Sequence, residues 1–302
     1  MTGDGPSRLR VLQLNLFNHL AEWERRREVL RAGLRALDPD LLALEETVVT
    51  ADHDQVADLL SPDYVIRHQQ PRQADGVGIS IASRWPVEEL TEIDLRVNER
   101  AARFPAAALV ARVAAPAPFG PLVFVNHKPT WQYGFEYERE QQAVRTAREI
   151  ERLVSGEAVH VVVAGDFDAV PDAASMRFWT GRQSLAGTSV MYRDAWEAIH
   201  PDEAGHTFTP RNPLVRGGEM PLELGRRIDY ILVRCLDHGP TLRVADCRLA
   251  FAQPSEPSEP SEPRERIEPP EQGDERDEGR VDKGRGVWAS DHFGVVADLT
   301  IA

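Results

Sequence analysis

The chain has 302 residues, is 42% hydrophobic and carries a formal net charge of −14, 49 acidic side chains standing against 35 basic ones. This length buries a substantial core as one large or two modest domains, and no run of 18 apolar residues offers a membrane span. The acidity disfavours nucleic acid at long range while leaving room for a local basic groove, and the two cysteines, Cys235 and Cys247, form neither a disulfide framework nor a metal spacing.

The amino terminus, MTGDGPSRLR, lacks the basic-then-apolar profile of a secretory leader, so the expected compartment is the cytoplasm, with both thiols reduced. LRVLQLNL (9–16) reads as a first strand. A helix follows over 21–37, where Leu30, Leu34 and Leu37 share a side, and its Arg25-Arg26-Arg27 run is read as a solvated face. Strand-like runs come next at LLALEE (41–46), GVGISIAS (76–83), AALVARV (107–113) and PLVFVNH (121–127). A second helix over 136–153 spaces Val144, Ala147 and Ile150 on one side. AVHVVVAG (158–165), IDYILVR (228–234), LRVADCRLAF (242–251) and GVVADLT (294–300) complete the set. The pattern is α/β with much sheet.

One segment departs from it. Residues 253–286 are Pro, Glu, Ser, Gly and Arg with almost nothing to bury, and they read as a disordered acidic loop interrupting a single domain over 1–302. Between Pro254 and Gly286 lie eleven acids and six bases, which leaves about −9 on the remainder. The threefold SEP reads as a solvated spacer; a partner-binding or phosphorylated tract is the alternative, its partner unknown.

The polar residues carry the functional signal. Asn15, Glu46, His127, the pair Asp166 and Asp168, Asp229, and Asp291-His292 all stand at strand ends. A charge there is costly to bury unless it is paired or bound to a cation. One such residue could be a turn former or a cap, but the repetition points to a shared rim. Carboxylate and amide oxygens suit a hard divalent cation, Mg²⁺ or Mn²⁺, and no Cys-rich or paired-His spacing indicates zinc. Phosphoester hydrolysis needs such a cation, a group to activate water and donors for the growing charge. The Asp291-His292 pair supplies an acid, a base or a charged phosphate donor.

In this order the residues resemble the endonuclease/exonuclease/phosphatase superfamily, which includes deoxyribonuclease-like and abasic-site nucleases, neutral sphingomyelinases, deadenylases and inositol polyphosphate phosphatases. VLQLNLF resembles the opening Asn-bearing strand, and DPDLLALEE resembles the segment that ends in a metal-binding Glu. GVGISIASRWPV, VFVNHK, GDFDAVP, RIDYIL and SDH resemble the motifs that follow. The resemblance implies a four-layer α/β/β/α sandwich of two mixed, mainly antiparallel sheets. It implies that Asn15 and Glu46 hold the metal with Asp291 nearby, and that Asp166 orients or deprotonates water. It further implies that Asp229 pairs with a phosphate-contacting His292 and that His127 also contacts phosphate.

Two positions depart from the family pattern: Glu45 stands where Gln is usual, and Asp168 where Asn is. An amide donates to a phosphoryl oxygen and a carboxylate only accepts, so Asp168 is expected to ligate metal or position water. Lys128 is either a phosphate contact or a surface residue. Trp131, in KPTWQYGFEYER (128–139), lines the substrate or belongs to a packed loop. GHTFTPRNPLVRGGEMPLELGRR (205–227) is the expected specificity loop, with Arg211 and Arg216 as phosphate or headgroup contacts and the Thr207-Phe208 pair packed beneath the site.

The chain thus reads as a metal-dependent phosphoesterase acting on a small molecule, lipid headgroup, sugar phosphate or nucleotide. A nuclease of the same superfamily and a catalytically silent binding module are the alternatives. An α/β-hydrolase triad of Ser80, Asp229 and His292 fails on context, since GISIA (78–82) continues as a strand where a sharp turn is required.

Overall fold

The computed structural model describes residues 7–255 and 286–301, so most of the acidic loop expected at 253–286 lies outside the described residues. In chain order the elements are β1 (Leu9–Asn15), α1 (Trp23–Leu37), β2 (Leu41–Val48), α2 (Gln55–Leu59), β3 (Val65–His68), β4 (Val77–Ser83), β5 (Val87–Asp94), β6 (Ala107–Val113) and β7 (Leu122–Lys128). There follow α3 (Glu136–Leu153), β8 (His160–Asp166), α4 (Ala174–Trp179), β9 (Tyr192–Asp194), α5 (Ala195–Ile199), α6 (Pro213–Arg216), β10 (Asp229–Leu236), β11 (Gly239–Pro240), β12 (Arg243–Ala250) and β13 (Gly294–Thr300).

The strands form two mixed sheets, one ordered β12-β13-β1-β2-β4-β3 and the other β11-β10-β8-β7-β6-β5, with β9 paired to β10. Among the described residues two neighbouring pairs are parallel, β1 with β2 and β7 with β8. A parallel return needs a crossover, and these two connections contain the long helices α1 and α3. The leucines of α1 pack with Leu12, Leu14, Leu42 and Leu44 on the outer face of the first sheet. Ala143, Ala147 and Ile150 of α3 pack with Val123, Val125, Val161 and Val163 on the outer face of the second. Between the sheets lie Leu9, Val11, Leu41, Ala43, Phe124, Val162, Ala164, Ile231 and Ala297. The result is the four-layer sandwich.

Each strand read from the sequence is present within two residues of its expected ends, and the 136–153 helix is α3 itself. Two edge strands, β3 and β5, were not legible. β3 and β5 each pair on one side, and β5 turns Glu88 and Glu89 outward, a charge pattern that blunts an open edge but hides the strand from a hydrophobicity reading. Arg26 corrects the expected solvated face of α1, because it is fully buried.

Alternation positions the site. Val11, Gln13 and Asn15, Leu41, Ala43 and Glu45, Phe124, Asn126 and Lys128, Val162, Ala164 and Asp166 are successive inward positions of β1, β2, β7 and β8, and each series turns from apolar to polar at its carboxyl end. β10 and β13 run antiparallel to their neighbours β8 and β1, so Asp229 and the Asp291-His292 pair arrive at the same rim from their amino ends. Asn126 fastens the two sheets just below it, its amide donating to the carbonyls of Leu44 at 3.1 Å and Ser80 at 2.9 Å. Where the chain leaves and re-enters the described part, Ser255 N–H donates to the Val287 carbonyl at 2.8 Å and Val287 N–H to Ser255 Oγ at 2.9 Å.

Gly165 shows how tightly the rim is drawn together. A Cβ there would lie 2.1 Å from the His127 carbonyl oxygen on β7. Gly165→Ala is therefore expected to destabilise the fold by about 1–3 kcal/mol, read as a lower urea midpoint at unchanged slope; an unaltered midpoint would mean that β7 and β8 tolerate the methyl.

Candidate active site

The first wall comes from β1 and β2. Simple alternation would send Glu45 inward and Glu46 outward, but the β2 register against β4 shifts between Leu44 and Thr47 and Glu46 takes φ 50. A bulge re-aims a side chain in this way. Glu46 Oε1 then accepts from Asn15 Nδ2 at 2.9 Å, and the same amide reaches Asp166 Oδ2 at 3.0 Å. Below them Gln13, which sequence reading passed over, donates through Nε2 to Glu45 Oε2 at 2.8 Å and Asp229 Oδ1 at 2.7 Å. Its signal was legible as a polar residue on the inward side of an apolar strand. Burial, with Asp166 and Asp229 close by, raises the Glu45 pKa well above the carboxylate range, which favours the neutral acid. Glu45 so keeps the neutral polarity of the Gln it replaces.

The floor comes from β7 and β8. Asp168, at φ 51, donates its N–H to Asp166 Oδ1 at 3.2 Å, which folds its carboxylate back beside that of Asp166. Lys128 is neither a surface residue nor free: its Nζ donates to Asp166 Oδ2 at 2.6 Å and Asp168 Oδ2 at 2.5 Å. Burial opposes the ammonium, but Asp166, Asp168 and Glu46 outweigh it and raise its pKa. Burial would likewise raise Asp166, yet Lys128 and His292 hold it down at about 2. Asp168 is pushed up to about 6 by burial and by Asp166, against the pull of Lys128.

The second wall holds the imidazole. His292 Nδ1 and Asp229 Oδ2 are 2.9 Å apart, while Nε2 lies 3.9 Å from Asp166 Oδ2. Burial disfavours the imidazolium, but Asp229, Asp166 and Asp291 prevail and raise its pKa well above the ordinary value. Thr207 Oγ1 accepts the N–H groups of Ile228 and Asp229 at 3.1 and 3.3 Å, and the Phe208 ring centroid lies 4.9 Å from that of His292, so the pair expected beneath the site braces it. Ser290 Oγ donates to the Asn15 carbonyl at 2.7 Å. Asn212, also unforeseen, donates to the carbonyls of Ser290 at 2.7 Å and Asp291 at 3.1 Å. Arg26 reaches the same ends from behind, with bonds to the carbonyls of Ala289 at 2.9 Å, Leu20 at 2.6 Å and Leu16.

Three expected phosphate contacts, His127, Arg211 and Arg216, need correction. His127 is an outward residue of β7: its ring packs against Phe167 and Trp179, its Nδ1 meets Thr146 Oγ1 at 3.2 Å, and burial lowers its pKa to about 3, so it stays neutral and does not line the cleft. Arg211 and Arg216 are exposed and also lie off the cleft lining; Arg103 and Arg226 line it instead. Ser80 faces away from Asp229 and His292, fully buried, bonding His68 at 2.8 Å and Thr47 at 2.7 Å. Trp131 does line the cleft, 41% exposed.

The donor set fits a hard divalent cation. Glu46 and Asp291 offer carboxylate oxygens, Asn15 Oδ1 keeps one lone pair beyond the bond it accepts from Phe17 N–H at 2.9 Å, and burial together with Glu46 pushes Asp291 up to about 6, a strained carboxylate that a cation would relieve. Asp166, Asp229 and His292 also place one ligand atom each within 4.8 Å of one another. There, however, His292 Nδ1 and Asp229 already satisfy each other, so the first set has more need of an ion. The arrangement can hold a cation, keep Asp166 ionised beside a charged imidazole, and present both to one cleft of about 690 Å³.

A family model described as Endonuclease/Exonuclease/phosphatase family matches residues 12–292. Human sphingomyelin phosphodiesterase 2 is 26% identical over 253 residues, 76% of this chain and 56% of that protein; the chain thus spans little more than half the length of that relative. Among solved structures, D. rerio TDP2 complexed with a single-strand DNA product has a TM-score of 0.68 at 17% identity, over 97% of this chain and 99% of that one. The human Nocturnin catalytic domain with a bound sulfate anion has a TM-score of 0.67 at 16% identity, over 98% and 95%. At these identities the structural likeness concerns the fold.

The Asp229–His292 pair can be tested without any substrate. In ¹⁵N NMR titrations the His292 ring is expected to remain doubly protonated at pH 7, and Asp229→Asn is expected to lower its midpoint, since Asp229 is the largest of the charges that raise it. A ring already neutral at pH 7 in the unaltered protein would contradict this reading.

Proposed function

The chain belongs to the Endonuclease/Exonuclease/phosphatase family, whose members are metal-dependent phosphoester hydrolases, and on that premise we propose that it hydrolyses the phosphoester of a small molecule or lipid headgroup. The observation that carries this reading is the convergence of Asn15, Glu46, Asp166, Asp229, Asp291 and His292 at one rim above a single cleft. Asn15, Glu46 and Asp291 would hold Mg²⁺ or Mn²⁺. When bound, the ion supplies positive charge to the phosphoryl oxygens.

The chain's own residues do the rest. Asp166, kept ionised at a pKa of about 2, is a weak base and a good acceptor, so it orients the attacking water. His292 offers its Nε2–H to a phosphoryl oxygen, and Asp229 fixes the orientation of the ring and stabilises its charge through Nδ1. These donors stand in place before the reaction, in a buried setting where each counts for more than in water.

The cleft argues for the substrate class. Its lining includes Phe17, Leu20, Phe104, Trp131, Phe208 and Met220. Among the described residues that line it, the Lys and Arg side chains are Arg103, Lys128 and Arg226, of which Lys128 is tied to two carboxylates and Arg226 to Glu223 at 2.7 Å. Few cations remain to follow a nucleic-acid backbone. Leu222 and Leu224, each 91% exposed on the loop whose residues 217–220 line the cleft, suit an ester carried by a lipid. Trp131, able to stack a base, favours a nuclease as the second reading.

The deciding assay follows hydrolysis with Mg²⁺ and with chelator across sphingomyelin, inositol and sugar phosphates, nucleotides, single-stranded RNA and plasmid DNA. Turnover of a small or lipid ester is expected, lost with chelator and reduced about 10²–10⁴-fold by Asp166→Ala. Cleavage confined to RNA or DNA would establish the nuclease reading in its place; silence across the panel would overturn both.

A further inference from the structure

Asp168, which departs from the family pattern, meets Lys128 and Asp166 in one ion cluster at the floor of the site. Asp168, a carboxylate where an amide is usual, and Asp166 point an oxygen each at Lys128 Nζ, 2.5 and 2.6 Å away. Two-metal phosphoesterase sites hold a second divalent ion beside the first, and two neighbouring carboxylates offer the oxygens that such an ion takes. Oxygen ligands lie about 2.0–2.1 Å from Mg²⁺, so such an ion on these two oxygens and the ammonium would claim the same space. We propose that Lys128 is a built-in cation that takes the place of a second divalent ion, so that the chain binds a single ion, at Asn15, Glu46 and Asp291. The inference rests on the metal-binding reading given above.

The lysine is not free to withdraw. It is an inward residue of β7, paired in register with Ala107 of β6, and its side chain is 13% exposed against 1% for Asp166 and 7% for Asp168. Leaving would strand two buried carboxylates, a costly state. The exchange also balances. Asp168 adds one negative charge to the family pattern and Lys128 carries one positive charge, so the floor keeps its net charge while the donor that Asn would have provided is supplied by an ammonium that lines the cleft.

The test is a count of ions on the full chain. Chelator-stripped protein is brought to equilibrium dialysis against Mn²⁺, and free Mn²⁺ is read by electron paramagnetic resonance. One Mn²⁺ per chain is expected for the wild type and two for Lys128→Met, with Lys128→Gln as the alternative variant should the first fail to fold. The Lys128→Met/Asp168→Asn double variant is expected to return to one. Two ions on the wild type, or one on a folded Lys128 variant, would overturn the inference and leave the metal reading standing. No ion on the wild type would overturn the metal reading and the inference with it.

Discussion

The structure is governed by the cost of gathering carboxylates where water is scarce. Glu45, Glu46, Asp166, Asp168, Asp229 and Asp291 come from four separate stretches of chain to one rim, and all but the half-buried Glu46 and Asp291 are buried. Three cationic groups answer them: Lys128, His292 and Arg26. Five of these acids are held by partners from other elements, Asn15 reaching Glu46 and Asp166, Gln13 reaching Glu45 and Asp229, and Lys128 reaching Asp166 and Asp168. The polar rim therefore fixes the relative placement of the two sheets, while the apolar layer beneath fixes only their separation. A sandwich held by leucine and valine alone would tolerate small slips; one whose edge must pair this many buried charges would not.

The same constraint explains what was legible in advance. Inward strand positions must alternate, so a polar residue that closes an apolar series is visible in one dimension, as it was for Asn15, Asp166 and Asp229. His127 misled because it is the last residue of the run that is apolar on both faces. β7 continues one position further, and it is Lys128 that points inward. Glu46 was identified through its motif rather than its parity, since the bulge at its position reverses the face that alternation alone would assign.

Other features had no one-dimensional signature. Arg26 looks like any arginine on a charged helix, and only the three-dimensional return of the chain past residues 16–20 and 289 gives it carbonyls to bind. Asn212 caps a single helical turn, accepting from Leu214 N–H at 3.0 Å, and with its amide it ties the expected specificity loop to the Ser290-Asp291 backbone. The loop residues guessed as phosphate contacts, Arg211 and Arg216, carried the right charge but lie on the solvent side of that turn. Charge alone gives no direction in a loop, where no periodicity constrains it.

The clasp between Ser255 and Val287 gives the molecule a modular seam. Two hydrogen bonds close the chain at the point where the acidic segment begins and ends, and Ser290, Asp291 and His292 follow within a few residues. The placement of the imidazole is thus set by contacts on the near side of the clasp.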